Sequence, residues 1–199
     1  HLGRFGRLMD MVRAECRKFG MANLLLVVDD GSAAGKSLAD HWRMPLHHSE
    51  YSMVHQGVPA TPTRRLDIRD AQPGDVDAMA ALSSRIFGDS LEEARGFIVS
   101  AMASPGRQQL VAFLQDEMVG FCALGHGEAA VSINGVGIAP SHQGQGLGRE
   151  LMLRMLERLA GGDKPMELEV DSLNQKALGL YRSLGFEETK VLHYYLQGI

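Results

Sequence analysis

The sequence predicts an α/β protein built on a mixed sheet and preceded by a smaller α-β-α-β half domain. Three observations lead there. Helical and strand-like apolar patterns alternate along the whole chain. From Leu66 the elements read β-α-α-β-β-β-α-β-α-β-β. A glycine-rich loop, Gln143 to Arg149, joins a strand directly to an amphipathic helix. At 199 residues the chain fits one domain, or one domain with a partial second. Hydrophobic residues at 45% and charged residues at 22% exclude wholesale disorder.

In order, Phe5, Leu8, Met9, Val12, Cys16 and Phe19 follow a helical period, so Arg4–Phe19 is expected as a helix stopped by Gly20. Leu24–Val28 is an aliphatic strand, Asp29–Ser32 a turn, Ala33–Trp42 a second helix and Ser49–Val54 a short strand. Residues 55–65 hold two prolines and a glycine with no apolar period, and are expected as a linker between a 1–54 half domain and a 66–199 domain. Leu66–Asp70 opens the new unit as a strand. Helices are expected from Pro73 to about Phe87 and over Leu91–Met102. Gln109–Gln115 and Met118–Leu124 form a hairpin turning at Asp116-Glu117. Val131–Ile138 is a strand, Gly148–Leu159 a helix, Met166–Val170 a strand and Gln175–Ser183 a helix. Phe186–Gln197 is expected as two strands.

Several function classes are excluded or disfavoured. No apolar run exceeds five residues, far short of the ~18 of a membrane span, and no signal peptide is visible; no membrane partner is expected. The chain begins with His1 rather than Met, so upstream residues are expected to be missing. The net charge of −4 gives no case for a nucleic-acid partner. Residues 1–65 carry 9 Lys/Arg against 6 Asp/Glu, and residues 66–199 carry 11 against 18. The acidic second part would suit a cationic acceptor, or simply keep the protein soluble. Cys16 and Cys122 form no metal pair or disulfide framework, which points to a reducing cytoplasm. His41, His47, His48 and His55 match no regular ligand spacing, so no metal is expected.

The segment that carries chemistry follows Pro140. The first turn of a helix offers backbone N–H groups without intrahelical partners, and its dipole adds partial positive charge. Glycines let that backbone approach an anion closely. The loop therefore reads as a phosphate cradle, with a plain glycine-rich turn as the alternative. A dinucleotide fingerprint is disfavoured, because the six positions from Gly144 end on Arg149. A P-loop around Gly31 to Ser37 is disfavoured as well: three residues separate Gly31 from Gly35, where that motif requires four.

Gln143-x-x-Gly146-x-Gly148 resembles the Gln/Arg-x-x-Gly-x-Gly/Ala signature of the GNAT superfamily of N-acetyltransferases. The later landmarks Leu168-Glu-Val170-Asp, Asn174-x-x-Ala177-x-x-Leu180-Tyr181 and Gly185-Phe186 stand in the family's order, over about residues 66–199. The resemblance implies a mostly antiparallel sheet with splayed central strands, Ile133–Ile138 and Met166–Val170. It implies acetyl-CoA as co-substrate. The pantetheine arm would pair with Val136, Gly137 and Ile138, and the pyrophosphate would sit on Gln143, Gly144, Gln145, Gly146, Leu147, Gly148 and Arg149. Asn174 would bind the middle of the cofactor arm. Tyr181 would approach the sulfur as the catalytic acid. The implied reaction is acetyl transfer to a primary amine of a small molecule or peptide. The alternative is a non-catalytic or regulatory acyl-CoA-binding or interaction module, which works through residues 1–54.

Thioester aminolysis needs a neutral amine, protonation of the leaving thiolate and a donor for the developing oxyanion, here a backbone N–H near Val136. The positions matching the family's strand carboxylate are Asn134 and Gly135, and neither titrates. Glu169, His126, Glu128 or a water relay remain open as the base. The acceptor lip would be Pro73–Met102, whose side chains carry no recognisable code.

A shift of 142 residues lays Gly6-Arg7 on Gly148-Arg149, Leu26 on Leu168 and Val28-Asp29 on Val170-Asp171. Residues 1–54 thus resemble the C-terminal half of a second, degenerate domain of the same type, as in tandem proteins of this family. His1, Arg4, Ser32 and Ala39 stand where Gln143, Gly146, Asn174 and Tyr181 do, so no active site is expected there. The lone strand Leu24–Val28 needs a partner: missing upstream residues, the second domain, or another copy of the chain in a homodimer.

Overall fold

The computed structural model describes residues 2–57 and 61–199. His1, the side chains of residues 2–5 (Arg4 and Phe5 of the expected helix among them) and positions 58–60 of the expected linker lie outside the described residues. Eight strands form a mostly antiparallel sheet in the order β1-β8-β2-β7-β6-β5-β4-β3, where β1 is Asn23–Asp29, β2 Leu46–His55, β3 Leu66–Asp70, β4 Arg107–Leu114, β5 Glu117–His126, β6 Val131–Ile138, β7 Met166–Asp171 and β8 Phe186–Gly198. The helices are α1 Leu2–Lys18, α2 Ala33–His41, α3 Val76–Phe87, α4 Leu91–Ala103, α5 Leu147–Leu159 and α6 Gln175–Ser183. The chain divides into two compact units.

The first unit comprises His1–Met53, Glu169–Gly179 and Glu187–Ile199. Met9 and Cys16, two turns apart on α1, are buried, while Leu8 and Met11 face outward. Gly20, at φ +66°, ends the helix, with Met21 N–H donating to Cys16 O at 2.9 Å. β1 is not a lone strand. All seven of its residues pair with the antiparallel β8, from Asn23 opposite Gly198 to Asp29 opposite Leu192. Beyond β1 the sheet ends among the described residues. The two strands expected over Phe186–Gln197 are one continuous strand. The strand runs on because β1 lies beside it and pairs with it from Leu192 to Gly198.

The 142-residue offset reappears in the geometry. α2 begins and ends 142 residues before α6. Asp29 Oδ1 accepts from Gly31 N–H at 2.9 Å, and Asp171 Oδ1 from Leu173 N–H at 2.7 Å. Ser32 Oγ caps α2 by accepting from Gly35 N–H, and Asn174 Oδ1 caps α6 by accepting from Ala177 N–H, both at 3.1 Å. The same strand–turn–helix junction is therefore built twice, from different capping residues.

The second unit comprises Val54–Leu168 and Leu180–Phe186. α4 starts with a capping box: Ser90 Oγ accepts Glu93 N–H, and Glu93 accepts Ser90 N–H. α3 ends at Gly88, which is left-handed at φ +86°. The β4–β5 hairpin turns at Gln115-Asp116, with Gln115 at φ +56°, one residue earlier than the spacing suggests. Val76, Met79, Leu82, Ile98, Val111 and Phe121 form a core cluster that packs α3 and α4 onto the sheet. Each such side chain contributes ~1.5–3 kcal/mol on burial.

Candidate active site

The site is organised by an irregularity in β6. Asn134 pairs with Ala123 and Gly137 with Phe121, so Gly135 and Val136 together oppose the single residue Cys122. This is a β-bulge, and Gly135 makes it possible by adopting φ +54°. On its other side β6 runs parallel to β7, but the register covers only Val131 with Met166 and Ser132 with Glu167. Past that point β6 has no β7 partner in the pairing of the described residues. The backbone of Val136, Gly137 and Ile138 thus lacks a β7 partner in the pairing of the described residues, and an extended ligand could take the place of a strand along it.

β6 ends at Ile138 and a tight turn, Pro140–His142, leads into the loop. The Gln143 side chain turns back, and its Nε2 donates to Ile138 O at 3.1 Å. The first residue of the motif thus pins the loop to the strand end. Gly144 and Gly146 are left-handed, at φ +76° and +80°. Gly146 is the N-cap of α5 and supplies no side-chain acceptor. The N–H groups of Leu147, Gly148 and Arg149 belong to the first turn, where no intrahelical carbonyl reaches them. Leu147 is buried and anchors that turn, while Gln145 and Arg149 are exposed beside it.

Gly148 brings a second helix close. A Cβ placed there would lie 3.7 Å from Ile138 and 3.8 Å from Leu180, so α5, β6 and the end of α6 meet at this glycine. Arg149 Nη1 donates to Ser183 Oγ at 2.8 Å across the same contact. Tyr181, one residue after Leu180, is 8% exposed and packs on Phe186 with ring centroids 6.0 Å apart. Burial, followed by the nearby Cys122 thiol, pushes its phenol up to about 12. It therefore stays protonated at neutral pH, as a proton donor must. Burial likewise pushes the Cys122 thiol up to about 12, which keeps it neutral and unreactive.

Asn174 lies in the first unit, where its Oδ1 is committed to capping α6. Asn134 is exposed, and its Nδ2 donates to Ser132 Oγ at 2.9 Å. His126 pairs with Val131 and Glu128 follows it, at the start of β6; Val136 is five residues further on, ~16 Å along the strand. Neither is placed for chemistry at the bulge. Glu169 is exposed on β7 in the first unit, near enough to Tyr194 to help raise that phenol, after the hydrogen bond to Glu50 and burial.

Two residues that the motif reading passed over, Glu150 and Arg65, lie against the glycine loop. Glu150, in the first turn of α5, is 1% exposed. It accepts from Thr63 Oγ at 2.5 Å, Leu66 N–H at 2.7 Å and Arg65 Nε at 3.2 Å. Burial alone would raise its carboxyl, but these donors prevail and hold it below the ordinary value of 4.5. The signal in the sequence is its phase: Glu150 shares the apolar stripe of Leu147 and Leu151.

Residues 76–186 match the family model described as Acetyltransferase (GNAT) family. The chain is 30% identical over 140 residues to a mycothiol acetyltransferase of Kineococcus radiotolerans, an alignment covering 67% of this chain and 46% of that protein. It is 40% identical over 55 residues to the N-alpha-acetyltransferase RimI of Mycobacterium tuberculosis, covering 28% of this chain and 34% of that protein. The chain thus spans less than half the length of either relative. Among solved structures, a GCN5-related N-acetyltransferase from Sphaerobacter thermophilus superposes with a TM-score of 0.73 at 20% identity, over 88% of this chain and 59% of that one. Matched over more than half its length by the family model, the chain belongs to the GNAT family of acetyltransferases.

Proposed function

We propose that the chain transfers an acetyl group from acetyl-CoA to a primary amine by direct attack on the thioester. The observation that carries this reading is the meeting at Gly148, which sets the glycine loop against the helix bearing a buried, protonated Tyr181. The residues present fit the coenzyme: left-handed glycines, a helix N-terminus without a side-chain cap, and a strand edge without a partner strand. Acetyl-CoA, when bound, supplies the activated acyl group. Leu147, Gly148 and Arg149 N–H groups would hold its pyrophosphate, and the backbone of Val136 to Ile138 would align the pantetheine arm. A backbone N–H at the bulge would stabilise the oxyanion, and Tyr181 would donate a proton to the departing sulfur.

The acceptor belongs to the same proposal. Both named relatives are acetyltransferases, which supports an amine on a small molecule or a peptide. A cytoplasmic setting is part of this reading, supported by two free, buried cysteines, Cys16 and Cys122. The second reading, a binding module without catalysis, is favoured by one observation: Asn134 and Gly135 leave the bulge without a titratable base. The test that separates the two is thermal unfolding with and without acetyl-CoA, followed by thiol release over a panel of amines and peptide N-termini. Stabilisation with release means an enzyme. Stabilisation without release for any acceptor leaves the acyl-CoA-binding module, and no stabilisation removes both the enzyme and that module, leaving a module that acts through protein interaction.

A further inference from the structure

The segment ahead of β3 reads as linker by composition, yet Arg65 reaches the glycine loop. Its Nη2 donates to Gln145 O at 3.1 Å while its Nε donates to Glu150 at 3.2 Å. The same Nη2 lies 3.4 Å from where a Cβ on Gly146 would stand. The peptide joining Gln145 to Gly146 is trans and planar, so its C=O and N–H point in opposite directions. Fixing the carbonyl on the guanidinium therefore aims Gly146 N–H away from Arg65, out of the far side of the loop. A cationic donor on the carbonyl also polarises that N–H, making it a stronger donor to an anion.

Glu150 makes this arrangement necessary. A buried carboxylate in the first turn of α5 sets a negative charge where an anion is to bind. Unpaired, its field would offset the positive potential of the helix N-terminus and repel phosphate. The Arg65 guanidinium neutralises it, the Thr63 hydroxyl and Leu66 N–H satisfy its remaining lone pairs, and the same contacts hold residues 63–66 against the loop.

We propose that Arg65 is a positioning residue for the pyrophosphate of the acyl-CoA, acting through the Gln145–Gly146 peptide and the charge of Glu150 rather than by touching the ligand. This rests on the loop's being the coenzyme site. Titration calorimetry with CoA should show Arg65→Met binding about tenfold more weakly than the unsubstituted protein, the loss expected for one charge-assisted hydrogen bond. Steady-state kinetics should show KM for acetyl-CoA raised in parallel, with kcat at saturation and the acceptor KM unchanged. A merely structural loss would move all three. Should Arg65→Met fail to fold, the double variant Arg65→Met/Glu150→Gln removes both charges together and keeps an acceptor for Leu66 N–H; it should fold and still bind CoA more weakly than the unsubstituted protein, because the Gln145 carbonyl has lost its cationic donor, with part of the Arg65→Met loss recovered by removal of the Glu150 charge. Unsubstituted affinity in whichever variant folds overturns the proposal. Absence of CoA binding by the unsubstituted protein overturns instead the reading of the loop.

Discussion

Glu150 accepts the backbone N–H of Leu66 at 2.7 Å across 84 residues of sequence, tying the first turn of α5 to the first residue of β3. Glu150→Ala leaves that buried N–H and the Thr63 hydroxyl without their acceptor. A loss of about 3 kcal/mol is expected, measured by urea denaturation. The carboxyl is held below its ordinary value of 4.5 in the folded protein, so the folded state binds fewer protons than the unfolded state in that range. Its stabilising contribution is present above that ordinary value and falls away as pH drops through the lower folded value. The unsubstituted protein should lose stability on acidification more steeply than Glu150→Gln.

Gly146→Glu should abolish the rise in melting temperature that acetyl-CoA produces in the unsubstituted protein. The position is left-handed at φ +80°, and the new carboxylate would stand at the mouth of the anion site. Thermal shift over a series of acetyl-CoA concentrations measures it. A shift retained in this variant would remove the loop from coenzyme binding.

Tyr181→Phe should lower kcat by roughly 10²–10⁴-fold while leaving CoA affinity nearly intact, as for a lost general acid. Because burial raises the phenol to about 12, Tyr181 keeps its proton throughout the working range. No alkaline fall in kcat below about pH 10 should therefore come from this residue. Full activity of the Phe variant with a good acceptor would exclude it from the mechanism.

On β1, neighbouring aliphatic residues should respond in opposite ways. Val28 is 3% exposed, whereas Leu25 is 51% exposed. Val28→Ala should cost about 2 kcal/mol, and Leu25→Lys should change stability by less than about 0.5 kcal/mol. Chemical denaturation of both variants checks the contrast. An equal loss at both sites would mean that the outer face of β1 is covered.

The fold class and the order of its elements were legible in the sequence because they depend on local periods and local turn chemistry. The side-chain caps Ser32, Ser90 and Asn174 emerged only from the structure, whereas Gly20 ends α1 where the chain needs φ above zero, as its place after the apolar period indicates. The glycine loop was legible for the same reason, since its conformation is set within a few residues. The single strand over Phe186–Gly198 was not. An apolar pattern says that a strand forms, but its length and neighbours depend on which edges are open to it, and here the open place lies between β1 and β2.

Arg65 and Glu150 show the other side of this division. Composition marks residues 55–65 as linker and α5 as amphipathic. No local rule pairs a linker arginine with a carboxylate 85 residues later. That pairing follows from desolvation: once α5 and β3 pack together, a carboxylate in the apolar stripe must find donors, and the nearest are those of Thr63, Arg65 and Leu66. The sequence by itself determined the element types, their order and the glycine-rich turn into α5, because each is a property of neighbouring residues. Only the tertiary structure decided the partner of β1, the continuity of β8 and the support behind the loop, because burial and pairing act between residues that the chain keeps far apart.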